Sequence, residues 1–126
     1  MTTILVVEDS KEIAALVKFR LKSSGYEVVT AENGKVGLEI AQKNRPDMII
    51  LDVMMPVMNG LETLMALKSE YSTRSIPVIF LTAQSTEQEI IKGLELGAED
   101  YITKPFSPQE LVTRVKTVLG RQKKSI

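Results

Sequence analysis

Short apolar runs alternate along the chain with longer stretches whose apolar residues recur every three or four positions. The runs span residues 4–7, 26–31, 48–51, 77–81 and 101–103. The first, third and fourth are continuously apolar, the pattern of strands covered on both faces. Between the runs lie helical patterns. Ile13, Leu16, Val17 and Leu21 fall at i, i+3, i+4 and i+8, which is one helix face. Gly25 stands where that helix stops. Asn33-Gly34 opens a second helix that ends before Pro46. A third runs from Gly60 to Glu70, and a fourth from Thr86 to Leu96 with Gly97 as its stop. The fifth opens on Ser107-Pro108-Gln109-Glu110, a capping box with Pro at the first helical position. Leu111, Val115, Val118 and Leu119 form its buried face, and Gly120 marks its end.

A strand followed by a helix, five times over, predicts a parallel sheet with helices on both faces. For so small a domain the expected form is a flavodoxin-like (βα)5 sandwich of class α/β, with strand order 2-1-3-4-5. Residues 1–121 read as one domain, and 122–126 as a basic tail or the start of a linker. The length of 126 residues fits this single core.

Composition narrows the chemistry. There is no Cys and no His, which excludes disulfides, thiolate nucleophiles, His-ligated zinc and a Ser-His-Asp triad. Sixteen basic residues balance 16 acidic ones, an argument against a surface built to grip nucleic acid. No apolar run approaches the ~20 residues of a bilayer span. The start, Met1-Thr2-Thr3, has no basic leader region, so no signal peptide and no membrane partner are expected, and the expected location is cytoplasmic.

In an open parallel sheet, ligands bind beyond the carboxyl ends of the strands, where strand order reverses. For order 2-1-3-4-5 that point lies between strands 1 and 3. The expected strand ends bring Glu8, Asp9, Asp52, Thr82 and Lys104 to this edge. Each has an ordinary reading. Asp9 suits a helix N-cap with Glu12 as its partner, Thr82 a turn hydroxyl, and Lys104 a solvated surface lysine. Together they point elsewhere. Three carboxylates in one pocket must share protons or recruit a cation, and Mg²⁺ (or Mn²⁺) suits an oxygen-only donor set. With Lys104 added, three negative charges meet three positive ones, a balance ready to receive an anion. Asp52, in the middle, is the candidate nucleophile. A carboxylate can attack phosphorus to give an acyl phosphate without a general base, while cation, Lys104 and Thr82 stabilise the phosphoryl oxygens.

At these residues the chain resembles the receiver domain of two-component response regulators. The resemblance covers residues 3 to 121 and rests on Val7-Glu8-Asp9-Ser10, the stretch from Asp47 to Pro56, Asn59-Gly60, Leu81-Thr82-Ala83, and the stretch from Gly97 to Phe106. It implies that Asp52 takes a phosphoryl group from the phosphohistidine of a sensor histidine kinase. It implies that Glu8, Asp9, Asp52 and the backbone carbonyl of Met54 hold the metal, and that Thr82, Ala83 and Lys104 bind the phosphoryl group. It further implies a cis peptide before Pro105 and a switch formed by Thr82 and Tyr101.

The last helices look most like receivers of the winged-helix (OmpR/PhoB-type) group. In that group this face pairs with a second copy. The corresponding pairs here would be Asp100 with Arg114, Glu95 with Lys116 and Glu99 with Arg121, around Ile91, Leu94 and Val112. Ile90 and Gly120 depart from that pattern, standing where the group carries basic residues.

Other readings fit less well. A flavin carrier would need a hydroxyl-rich or Gly-rich loop after the first strand, and residues 8–12 are mostly acidic. A receiver-like module that is never phosphorylated would lack an acidic residue or the lysine. A phosphatase of aspartyl-phosphate type would want a carboxylate at position 54, which is Met.

Overall fold

A computed structural model describes residues 1–83 and 87–124. The Thr86 start expected for the fourth helix and the last two residues of the tail lie outside the described residues. In chain order the elements are β1 (Thr3–Val7), α1 (Lys11–Ser23), β2 (Glu27–Ala31), α2 (Gly34–Asn44), β3 (Met48–Asp52), α3 (Gly60–Ser69), β4 (Val78–Thr82), α4 (Glu87–Glu95), β5 (Asp100–Thr103) and α5 (Pro108–Lys124). All pairings are parallel, and the sheet order is β2-β1-β3-β4-β5, as the alternation predicts.

The continuously apolar strands are the central ones. Every residue of β3 and β4 is buried, and β1 is buried beyond Thr3. Alternate side chains feed two cores, because successive residues of a strand point to opposite faces. Leu5, Val7, Ile49, Leu51, Val78 and Phe80 pack on one side with Ala41 of α2 and Leu64 and Leu67 of α3. Ile4, Val6, Met48, Ile50, Ile79 and Leu81 pack on the other with Val17 and Leu21 of α1 and Leu111, Val115 and Val118 of α5.

Two expectations, on Leu16 and Gly120, need correction, and the ordinary reading of Asp9 as a helix cap falls away. The buried stripe of α1 is Ala14, Val17 and Leu21, while Leu16 is 50% exposed. Leu16 lies about 100° around the helix from Val17 and faces outward. The N-cap of α1 is Ser10, whose hydroxyl accepts from the Ile13 N–H at 3.3 Å, so Asp9 does not cap the helix. Helix α5 passes through Gly120 and continues to Lys124. A glycine inside a helix costs only about 1 kcal/mol relative to alanine, and no turn demands its special conformations here.

The start of α5 keeps half of the expected box. Ser107 Oγ accepts from the Glu110 N–H at 2.9 Å, and the Glu110 carboxylate accepts from Arg114 Nε at 3.3 Å. Among the described residues, no helix is long and apolar enough to cross a membrane.

Candidate functional site

The parallel register sets the ends of β1, β3, β4 and β5 side by side. Val7 pairs with Leu51, Asp52 with Leu81, and Thr82 with Thr103. The next residues therefore emerge together. The Glu8 N–H donates to Ala31 O at 3.0 Å, and the Lys104 N–H donates to Thr82 O at 2.8 Å. The turn from β3 into α3 holds Asp52 in place. Asn59 and Glu62 form a reciprocal capping box at the start of α3, and the Gly60 N–H donates to Val53 O at 2.9 Å. A methyl group on Gly60 would meet Val53 Cα at 2.7 Å, so only glycine allows α3 to start this close to the end of β3.

Glu8 and Asp52 are buried carboxylates, at 2% and 3% exposure. Asp9 lies at the exposed lip. Oxygens of the three come within 4.8 Å of one another and form a group that could hold a metal ion. Lys104 closes the other side. Its Nζ is 2.8 Å from Glu8 Oε1 and 3.5 Å from Asp52 Oδ2. Glu8 Oε2 accepts from the Ser10 N–H at 3.0 Å, and Asp52 Oδ1 accepts from the Met54 N–H at 3.3 Å. Thr82, at the end of β4, is also buried.

This crowding moves the carboxyl groups apart in acidity. Burial, then hydrogen bonding to Glu8 and repulsion from its charge, push Asp52 up to about 7; Lys104 opposes the rise and the hydrogen bond with Asp9 adds to it. Burial also pulls Asp9 upward, but hydrogen bonds with Glu8 and Asp52, its own backbone and the nearby ammonium outweigh it and leave the group below its ordinary value. Without a cation the cluster thus resists full ionisation, and the upward shift falls on Asp52. A divalent ion fits the donor set. It would face hard oxygen donors only and, with Asp9 at the lip, could keep several waters.

The remaining predicted residues take ordinary positions near this edge. The Lys104–Pro105 peptide is cis. Tyr101 is half-buried against the core beside Phe80, and its N–H donates to Asp100 Oδ1 at 2.8 Å. Ala83 and Met54 are exposed beside Thr82 and Asp52. On the outer face, Ile91 and Leu94 are 46% and 42% exposed, Glu95, Lys116 and Arg121 are exposed, and Val112 and Glu99 are half-buried. Arg114 is already engaged within the chain. Its Nη1 donates to both Asp100 oxygens, at 3.1 and 2.9 Å, and its Nε to Glu110.

Two features escaped the sequence. One is the close Glu8–Lys104 pair. The other is Val57, whose φ of 71° is left-handed. The Met58 N–H donates to Pro56 O at 2.7 Å across it, a γ-turn of the strained kind. Pro56 and Asn59-Gly60 on either side of it are turn-favouring residues, but none of them points to a left-handed Val57.

A parallel sheet in this order, with an acid cluster and a lysine beyond its strand ends, is a flavodoxin-like (βα)5 domain with a polar site at its switch point. The family model of the response regulator receiver domain matches residues 4–116, and the chain belongs to that family of two-component signalling proteins. The alkaline phosphatase synthesis transcriptional regulatory protein PhoP of Bacillus subtilis is 45% identical over 118 residues, which cover 94% of this chain and 48% of that protein. The phosphate regulon transcriptional regulatory protein PhoB of Escherichia coli is 47% identical over 118 residues, covering 94% of this chain and 52% of that protein. The chain thus spans about half the length of the curated relatives it matches. Among solved structures, the Vibrio cholerae chemotaxis protein CheY4 superposes with a TM-score of 0.89 at 37% identity, over 94% of this chain and 98% of that one. A CheY-like receiver domain protein from Methanospirillum hungatei gives a TM-score of 0.94 at 28% identity, over 100% and 99%.

Proposed function

We propose that this domain is a phosphorylation switch in which Asp52 accepts a phosphoryl group from the phosphohistidine of a sensor histidine kinase, or from a small phosphodonor. The observation that carries this reading is the arrangement around Asp52, a buried carboxylate with two acidic neighbours on one side and the Lys104 ammonium on the other. Glu8, Asp9, Asp52 and the backbone carbonyl of Met54 would hold a Mg²⁺ (or Mn²⁺) ion. When bound, the ion supplies positive charge that favours ionised Asp52 and offsets the charge of the incoming phosphoryl group.

The chain's own residues do the rest. An Asp52 carboxylate oxygen attacks phosphorus in line, the P–N bond to the donor imidazole breaks, and the imidazole leaves with its electron pair and takes up a proton. Lys104 pairs with one phosphoryl oxygen and the Thr82 hydroxyl donates to another, with Ala83 leaving room beside them. Thr82 moving toward the phosphoryl group would vacate space behind it, and the half-buried ring of Tyr101 would turn into that space. The face of α4, β5 and α5 would then change its partner surface. Pairing with a second copy there would use Ile91, Leu94 and Val112, with Glu95–Lys116 and Glu99–Arg121 pairs. An Asp100–Arg114 pair between copies would have to replace the one now formed within the chain.

The test is incubation with acetyl phosphate, read by intact mass. The expected result is one added phosphate with Mg²⁺, none with EDTA, and none on Asp52→Asn. Uptake without any divalent ion, or by the Asn variant, overturns the proposal.

A further inference from the structure

We infer that the face built by α1 and α5 is a binding surface for duplex nucleic acid, which it grips by the phosphate backbone without reading sequence. This surface is separate from the acid cluster and needs no phosphoryl transfer at Asp52.

The even charge count of the whole chain hides a strong segregation. Helices α1 and α5 carry nine of the 16 basic residues and only two of the 16 acidic ones, Glu12 and Glu110. The rest of the chain holds seven basic and 14 acidic residues. The two helices lie on the same side of the sheet, where Val17 and Leu21 of one share a core with Leu111, Val115 and Val118 of the other. Their charges thus belong to one face of the domain. A face with one sign of charge draws polyanions to it even when the net charge is zero.

The helices leave a groove of about 660 Å³ between them. Its polar lining is Arg20 and Ser24 on one side and Ser107, Gln109, Thr113 and Lys116 on the other, with no carboxylate. Arg20 and Lys116 are exposed, and among the described residues neither enters an ion pair. Ser107 Oγ accepts from the Glu110 N–H, which leaves its own proton for an outside acceptor. The Gln109 amide and the Thr113 hydroxyl are exposed donors as well. Two cations with neutral donors between them and no acid are the donor set that phosphate oxygens take.

The shape of the site selects its occupant. A strand of phosphates is a projecting ridge that can lie in a groove, with one charge about every 3.4 Å along the strand. A bilayer surface is flat and reaches only the rim. An acidic protein would need apolar anchors at the centre of the contact, and the exposed Leu16 and Phe19 stand outside the groove lining. Helix α5 has 17 residues, a length of about 25 Å that spans several phosphates. Lys22 of α1 and Arg121 of α5, both exposed, add charge to either helix. Lys116 is also the cation that pairing with a second copy would use, so duplex binding belongs to the unpaired domain.

The test is fluorescence anisotropy of a labelled DNA duplex of arbitrary sequence, titrated with unphosphorylated protein in EDTA. Binding should weaken about 40-fold between about 50 and about 200 mM salt, the slope for about three phosphate contacts. At the lower salt, Arg20→Gln with Lys116→Gln should weaken it about tenfold or more. The same charge change on α2 and α4, Lys43→Gln with Lys92→Gln, should leave affinity within about twofold. All four side chains are exposed, so the variants should keep their fold. Equal losses in the two variants would mean attraction to no particular face and would overturn the inference, as would no binding at the lower salt. Poly-glutamate or phosphatidylserine vesicles that compete as well as unlabelled duplex, at equal charge, would point to an acidic protein or a membrane and overturn it too.

Discussion

Replacing Asp52 with Asn should make the metal-free protein more stable, although it removes the residue on which the proposed function depends. The carboxyl of Asp52 is raised from 3.8 to about 7, first by burial and then by Glu8. The folded protein thus holds this proton more tightly than the unfolded chain does. Between those two values the unfolded state binds fewer protons, so stability falls as pH rises through the window. A rise of about 3 pH units, at about 1.4 kcal/mol each, costs the folded state about 4 kcal/mol once Asp52 is fully ionised. The amide of Asn escapes this cost and keeps an oxygen for the Met54 N–H, while losing the attraction to Lys104. The net gain above pH 7 should be about 2–4 kcal/mol. Urea unfolding in EDTA at several pH values measures it. The advantage of Asp52→Asn should grow by about 3 kcal/mol between pH 5 and pH 8. An advantage that does not change with pH, or a wild type more stable at pH 8, would refute the electrostatic reasoning. Saturating Mg²⁺ should narrow the gap by stabilising the wild type.

Single residues elsewhere give further expected outcomes. Val57→Gly should raise stability by about 1 kcal/mol by relieving the left-handed backbone of a β-branched residue, read as a higher unfolding midpoint. Ser10→Ala should cost about 1 kcal/mol as a lost helix cap and leave Mg²⁺ binding largely intact. Asp9→Ala should do the opposite, weakening Mg²⁺ binding in calorimetry with little loss of stability. Phosphorylation should raise self-association, and sedimentation that stays monomeric at high concentration in the phosphorylated state would remove the paired-face reading.

The strands and their order were legible because burial on both faces leaves a plain mark, as in residues 48–51 and 77–81. The site was legible because the strand ends carry Glu8, Asp9, Asp52, Thr82 and Lys104, and parallel topology brings such ends together. The misses have local causes. Ala14 carries too little apolar surface to reveal that it, and not Leu16, belongs to the buried stripe of α1. Asp9 and Ser10 are both good cap formers in adjacent positions, and only the chain path decides between them. Gly120 is a common stop signal, but here the helix runs on through it. Which carboxylate holds Lys104 depends on side-chain length across a pocket between residues far apart in sequence, and spacing cannot show that.

The most direct test of the central claim locates the phosphoryl group itself. Protein treated with acetyl phosphate and Mg²⁺ is reduced with borohydride, which converts an acyl phosphate of aspartate to homoserine, and is then read by peptide sequencing in the mass spectrometer. A phosphoryl switch at Asp52 predicts homoserine at position 52 and at no other aspartate. Homoserine at Asp9 or elsewhere, or phosphate uptake with position 52 unchanged, would contradict it.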